Sequence, residues 1–254
     1  MIADRLGRLA ARLVRTRTMR SRLTAPLVSF TFDDIPESAY QDGAAILEAH
    51  GARGTFYVAG GLAGGPSPSG RLATAEQCLD LHRRGHEIGC HTFTHPSVRR
   101  CGAAALEAEI ARNQAFFSAL DPGIVPENFA YPYNETSLRA KHRLERRFRT
   151  CRGGVPGLNG QVIDAGFLRC VELVEGGLTR EAARAWIERA AASRAWLIFL
   201  THDVREGPGP WGCTPGALDA AVGDAGALGV EVVTVREAVR RVEGEEARPE
   251  EARP

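Results

Sequence analysis

Lysine is all but missing from this chain: Lys141 is the single lysine among 32 basic residues. Against 31 carboxylates the formal net charge is +1. A near-neutral balance gives no reason to expect nucleic acid or another polyanion as partner, and the arginines need not be phosphate binders. No apolar run approaches the roughly 20 residues that cross a bilayer, which excludes a transmembrane span. The N-terminus carries arginines but neither a continuous apolar core nor a small-residue cleavage site, so no secretory signal is read. The six cysteines (Cys78, Cys90, Cys101, Cys151, Cys170 and Cys213) form no C-x-x-C pair and are dispersed. That pattern fits reduced thiols better than a disulfide framework, and a cytoplasmic address is expected.

What is present is ordinary for a globular protein: 254 residues, 44% apolar and 25% charged, enough for one large α/β domain. Residues 1–24 read as an arginine-rich amphipathic helix, with Ile2, Leu6, Leu9 and Leu13 at helical spacing. It is either a helix docked on the domain, a partly ordered arm, or a peripheral membrane anchor. From Leu27 a strand–turn–helix alternation begins and runs through a domain spanning 25–242. Ser38 and Thr74 stand as helix caps, and the Gly/Ser/Pro-rich stretch 60–70 reads as a loop. Helices are expected over 102–120, 137–148, 179–194 and 215–228. Trp196–Thr201 reads as the clearest buried strand of the second half, and a strand is expected over 230–235. The acidic tail 243–254 is expected to be disordered. Strands that alternate with helices and are buried on both sides indicate a parallel α/β sheet or barrel.

The reactive side chains fall just after predicted strands. Asp33-Asp34 ends the run Leu27–Phe32; His91 and His95 follow Glu87–Cys90; His202 follows Trp196–Thr201. In parallel α/β folds that carboxyl rim is where sites are built. Two imidazoles four positions apart suit a divalent metal when the chain coils between them, although the spacing alone is weak. Adjacent carboxylates on extended backbone point apart, so one of Asp33 and Asp34 can ligate while the other serves as a base. An imidazole such as His202 can give or take a proton near neutral pH. Each has an ordinary structural explanation as well: a solvated acidic pair capping a helix, or a satisfied histidine at a strand end.

Taken together, Thr31-Phe32-Asp33-Asp34, the His-Thr-x-x-His-Pro run at 91–96, Phe129-Ala130-Tyr131-Pro132-Tyr133 and Leu200-Thr201-His202-Asp203 resemble the polysaccharide deacetylases of the NodB-homology type, carbohydrate esterase family 4. Gly54-Thr55-Phe56-Tyr57-Val58 and Gly85-His86-Glu87-Ile88-Gly89 look like its connecting segments, and the resemblance spans about residues 27–236 in the family's order. It implies a distorted (β/α)7 barrel and a metal-dependent hydrolase that removes an acyl group, foremost N-acetyl, from a carbohydrate or small amide. It implies one divalent metal, Zn²⁺ first with Co, Ni, Mn or Fe as alternatives, held by Asp34, His91 and His95. By the same resemblance Asp33 is the general base and His202 the general acid. The backbone N–H of Tyr133 faces the oxyanion, and Leu200 walls the acyl methyl.

The chain departs from the family's pattern in three places. Ala130-Tyr131 stands in the region of an arginine that pairs with the catalytic Asp, Asn134 replaces a common glycine, and no Asp-x-x-Asp-Trp motif is found. Arg152 is the candidate substitute for the arginine and a candidate substrate contact; Asp164 or Asp203 is the candidate orienter of His202. Other readings stay open: a deacetylase-like domain that binds glycan or metal without turnover, a hydrolase of formyl amides or ureides, and a non-haem iron oxygenase.

Overall fold

The runs Leu27–Asp33 and Trp196–Thr201 are buried along their whole length. A continuous apolar strand is stable only when both its faces are covered, which is the situation of a parallel sheet between helices and a closed interior. The computed structural model describes residues 2–245. Its elements in chain order are α1 (Ile2–Leu13), β1 (Thr18–Arg20), β2 (Leu27–Asp33), α2 (Ala44–Ala49), β3 (Thr55–Val58), β4 (Pro66–Ser67), β5 (Gly70–Arg71), α3 (Ala75–Arg83), β6 (Glu87–Cys90) and α4 (Ala103–Leu120). There follow β7 (Asn128–Ala130), α5 (Leu138–Leu144), β8 (Thr150–Arg152), β9 (Val162–Asp164), β10 (Val171–Glu172), α6 (Arg180–Ser193), β11 (Trp196–Thr201), α7 (Pro215–Ala227), β12 (Glu231–Val232) and α8 (Val235–Glu243).

The main sheet is parallel throughout, in the order β10-β11-β2-β3-β6-β7-β8. β11 pairs along β2 from Trp196↔Leu27 to Thr201↔Phe32. The other edge of β2 is shared, with β12 at Leu27 and Val28 and β3 from Thr31 to Asp33. Beyond β8 a single bridge joins Arg152 to Leu168, just ahead of β10, so the two ends of the sheet approach without a full ladder. The result is a curled half-barrel, in keeping with the distorted barrel that the family resemblance implies.

Alternation along the strands divides the core and aims the site. Val28, Phe30 and Phe32 of β2, with Leu197 and Phe199 of β11, join the cluster shared with α2, α6 and α7. Leu27, Trp196, Ile198 and Leu200 belong to a second cluster shared with α8. By the same period of two, Asp33 and Leu200 share the Leu27 and Trp196 face at the carboxyl end. The opposite end is plugged by buried Glu87, which accepts from Thr55 Oγ1 (2.9 Å), Asn128 Nδ2 (2.6 Å) and the Arg236 amide (2.7 Å). That amide lies in the first turn of α8, where a negative charge is favourable.

Several elements differ from the sequence reading. The first helix stops at Leu13, and β1 pairs antiparallel with β9 through Met19↔Ile163. β-Branched Thr16 and Thr18 favour extended backbone there over further helix. Ser38 makes no side-chain cap; its Oγ accepts the Val204 amide (3.2 Å), and the chain passes through a wide π-type turn, Ala39–Gly43, before α2. Thr74 forms the full capping box with Gln77. The 60–70 loop contains the β4–β5 hairpin. The strand expected over 230–235 is only two residues long, and α8 begins at Val235. The tail expected to be disordered lies, from residue 246, outside the described residues.

Candidate active site

Strand ends and tight backbone bring the reactive groups together. Of the seven non-glycine residues with positive φ among those described, six lie here: Asp34, Ile35, Thr92, His95, Tyr133 and Asn134. Side chains rarely adopt this left-handed region, so a cluster of them marks loops held in place by their surroundings. One holding device is explicit. Glu109 on α4 accepts from the Phe93 amide (3.0 Å), the Thr94 amide (2.7 Å) and Thr94 Oγ1 (3.0 Å), pinning the turn between His91 and His95. Gly89, two residues before His91, has no room for a side chain: a Cβ would sit 2.4 Å from the Tyr57 ring.

The Asp34, His91 and His95 ligand atoms lie within 4.8 Å of one another. His95 Nε2 is 3.3 Å and His91 Nε2 3.7 Å from Asp34 Oδ1, a buried oxygen with no hydrogen-bond partner among the described residues. His91 Nδ1 lies 2.8 Å from the Ala130 carbonyl. That contact requires Nδ1 to carry the proton, which leaves the Nε2 lone pair for a ligand. Burial pushes the His91 imidazole down to about 3, and it lowers His95 against the pull of Asp33. Burial likewise pushes the Asp34 carboxyl up to about 6; His202 opposes this and Asp33 adds to it. Neutral imidazoles beside an unpartnered buried carboxylate oxygen fit a divalent cation.

Asp33 stands behind this cluster, its Oδ2 3.9 Å from His91 Nε2. Arg152 Nη2 lies 2.5 Å from both Asp33 oxygens. Burial alone would raise the Asp33 carboxyl, but the Arg152 charge, helped by His91 and His202, holds it below its ordinary value. Arg152 itself is fully buried and also donates to the Gly153 carbonyl (3.0 Å), with its guanidinium over the Tyr57 ring. The expectation that Arg152 touches substrate is therefore corrected: it has no exposed surface and stands behind Asp33, off the cavity wall.

A cavity of about 460 Å³ opens over these groups, lined by Asp33, Asp34, His91, His95, Tyr133, Leu200 and His202, together with Trp211, Glu172 and the β4–β5 hairpin. Tyr133 has φ 59° and, among the described residues, its amide meets no acceptor. Asn134 follows at φ 53°; asparagine tolerates this region better than most residues, which accounts for its place where glycine is common. His202 is oriented by backbone: its Nδ1 lies 3.2 Å from the Trp211 carbonyl, which also accepts the His202 amide (3.0 Å). Neither proposed carboxylate orienter reaches it. Asp164 pairs with Lys141 (2.7 Å), and Asp203 turns into its own loop to accept from the Gly209 amide (2.7 Å) and Arg205 Nε (3.1 Å). Trp211, from the segment 211–215 that the sequence marks as groove-forming, does line the cavity. Glu109 and Glu172 carry no sequence signal, since one lies on a helix and the other on a two-residue strand, and each acquires its place only through tertiary packing.

A parallel α/β half-barrel with carboxylates and imidazoles gathered on its carboxyl rim is the class of protein defined here. Residues 20–147 match the model of the polysaccharide deacetylase family, and the chain belongs to that family. Asp33, Asp34, His91, His95 and Tyr133 fall within the matched stretch, whereas Arg152, Leu200 and His202 lie beyond it. A chitooligosaccharide deacetylase of Bradyrhizobium sp. (strain ANU 289) is 30% identical over 107 residues, 42% of this chain and 45% of that protein. One from Sinorhizobium fredii (strain NBRC 101917 / NGR234) is 33% identical over 92 residues, 36% and 39% of the two chains. The matches thus span less than half the length of these curated relatives. The fold is shared with the chitin deacetylase of the fungal pathogen Colletotrichum lindemuthianum (TM-score 0.62, 18% identity, 92% of this chain and 97% of that one). It is shared too with a family 4 acetyl xylan esterase from Clostridium thermocellum in complex with a cobalt ion (TM-score 0.61, 24% identity, 87% and 93%).

Proposed function

We propose that this chain is a metal-dependent hydrolase that removes an acyl group, foremost N-acetyl, from a carbohydrate. The observation that carries the reading is the pairing of Asp33 with buried Arg152 directly behind the Asp34–His91–His95 cluster: a binding module has no use for a second, ionised carboxylate held outside the ligand set. Asp34, His91 and His95 would hold one divalent metal, Zn²⁺ foremost with Co, Ni, Mn or Fe as alternatives, which supplies Lewis acidity to an acyl oxygen and to water.

Asp33 accepts the proton that the attacking water sheds, and Arg152 keeps its carboxyl ionised for that task. The Tyr133 amide donates to the acyl oxygen as negative charge builds on it. His202, in its protonated form, donates to the leaving nitrogen; the Trp211 carbonyl engages Nδ1 and leaves Nε2 for that role. Leu200 bounds the space for the acyl methyl. The six free cysteines suit a reducing compartment, consistent with a cytoplasmic address.

The test is acetate release from N-acetylglucosamine monomers and oligomers by metal-stripped protein, with metal added back. Release that depends on metal supports the reading. Stoichiometric metal binding with no hydrolysis of acetyl, formyl or ureide substrates would defeat it.

A further inference from the structure

The N-terminal helix is attached through Ala11 and its carbonyls, which leaves Leu9 and Leu13 outward. Ala11 is fully buried. Lys141 Nζ, also buried, donates to the Ala11 and Val14 carbonyls (3.1 and 2.7 Å) and pairs with Asp164. Arg8 Nη1 lies 3.4 Å from Glu135, whose other oxygen accepts from Ser97 Oγ (3.0 Å), so α1 is tied to the rim loops that carry His95 and Tyr133. Leu9 and Leu13, one helical turn apart, are 52% and 64% exposed, and Val14 after them is 46% exposed. These are three of the seven large hydrophobics exposed among the described residues, within six positions. Among the described residues, nothing covers the front of this helix at Leu9 and Leu13.

The surrounding charge selects the partner. Between Asp4 and Asp33 the sequence holds seven arginines and no carboxylate, in a chain that is otherwise nearly balanced. Arg12 and Arg15 are exposed beside the leucines, and α5, which packs on α1, adds exposed Arg139. Two copies meeting through these leucines would set two arginine-rich segments against each other, a repulsive arrangement. Nucleic acid would neutralise the arginines but leave the leucines in water. An anionic bilayer surface satisfies both, accepting apolar side chains at the acyl boundary and pairing arginines with phosphate.

We propose that α1 docks this protein on an anionic lipid surface, with Leu9, Leu13 and Val14 inserted and the arginines on the headgroups. Two further exposed aromatics, Tyr133 (64%) and Trp211 (49%), line the mouth of the catalytic cavity that α1 is tied to, and such rings favour the interface. The substrate class that follows is an acylated sugar carried on a membrane lipid. This last step rests on the deacetylase reading; the docking does not.

The full chain is sedimented with vesicles of phosphatidylcholine alone or with about one-third phosphatidylglycerol, at low and high salt. Binding to the anionic vesicles only, weakened by salt and reduced about tenfold or more in Leu9→Glu/Leu13→Glu, supports docking. An unchanged melting temperature in that variant shows that the fold is intact. Failure of the wild type to bind, or binding indifferent to the double substitution, overturns the proposal. So does a wild-type dimer that the double substitution dissociates. Acetate release from a vesicle-borne N-acetylglucosaminyl lipid, lost in the variant while release from soluble substrate persists, supports the substrate class. Vesicle binding without any acetate release supports docking and overturns the deacetylase reading alone.

Discussion

At Asp33 two strong effects oppose each other. Burial favours the neutral acid, and the Arg152 guanidinium favours the carboxylate and prevails. Asp33→Asn keeps the ligand cluster but removes the proposed base, so the rate should fall by about 10²- to 10⁴-fold while metal stoichiometry, read by elemental analysis, is unchanged. Arg152→Gln removes the charge that lowers Asp33. The Asp33 pKa then rises, and the acid limb of the kcat/KM profile should move to higher pH; a limb that stays in place would assign Arg152 to packing alone. The sequence shows that Arg152 follows a run of strand-forming residues. It cannot show that this run ends behind Asp33, 119 positions away, because only the closure of the sheet decides that. His202 was equally visible, yet its orienter is a backbone carbonyl, a group every residue carries and no motif records.

Among the elements, the turn from His91 to His95 depends on helix α4. Its two amides converge on one carboxylate, Glu109, while Asn113 one turn further along α4 accepts the Gly60 amide (2.8 Å) and donates to the Val58 carbonyl (2.9 Å) at the end of β3. Glu109→Ala should weaken metal affinity about tenfold or more, measured by competition with a chromogenic chelator, with Glu109→Gln intermediate because an amide oxygen still accepts. Elements with strong local signals were legible. β2, β11, α4 and α6 follow from long buried runs or clear apolar periodicity, and the Thr74 cap from its capping box. Helix α8 also carries a local signal: Thr234 caps it, Glu237 follows three residues later, and Val235, Ala238, Val239 and Val242 form its buried stripe. The β4–β5 hairpin and the β1–β9 pair have two or three residues per strand, too few for a period to show, and only their contacts define them.

At the scale of the whole molecule, folding excludes protons from His86. Its Nδ1 accepts the Gly54 amide (3.0 Å) and its Nε2 lies 3.1 Å from Glu48. Burial pushes its pKa down to about 4 from 6.5, against the pull of Glu48. Between these values the unfolded chain binds a proton that the folded chain refuses, so the stabilisation is present above about pH 6.5 and is lost as pH falls towards 4. The melting temperature of the wild type should therefore drop more steeply from pH 7 to 5 than that of His86→Gln, which keeps one acceptor and one donor. Metal that binds only the folded state adds stability by mass action, about 4 kcal/mol at a thousand times Kd. Chelation should accordingly lower the melting temperature by several degrees, as differential scanning calorimetry would register.

The buried amine of Lys141 is the chain's single lysine side chain, and it is sealed by the helix whose carbonyls it binds. An amine-selective acylating reagent then has no other lysine to modify, and reaches this one only when α1 lifts away. The extent of labelling at position 141 becomes a clock for that opening, readable by mass spectrometry without any engineered probe. Labelling as fast as for a free lysine would show that the helix spends its time undocked; protection lost only on denaturation would show that it opens with the fold as a whole.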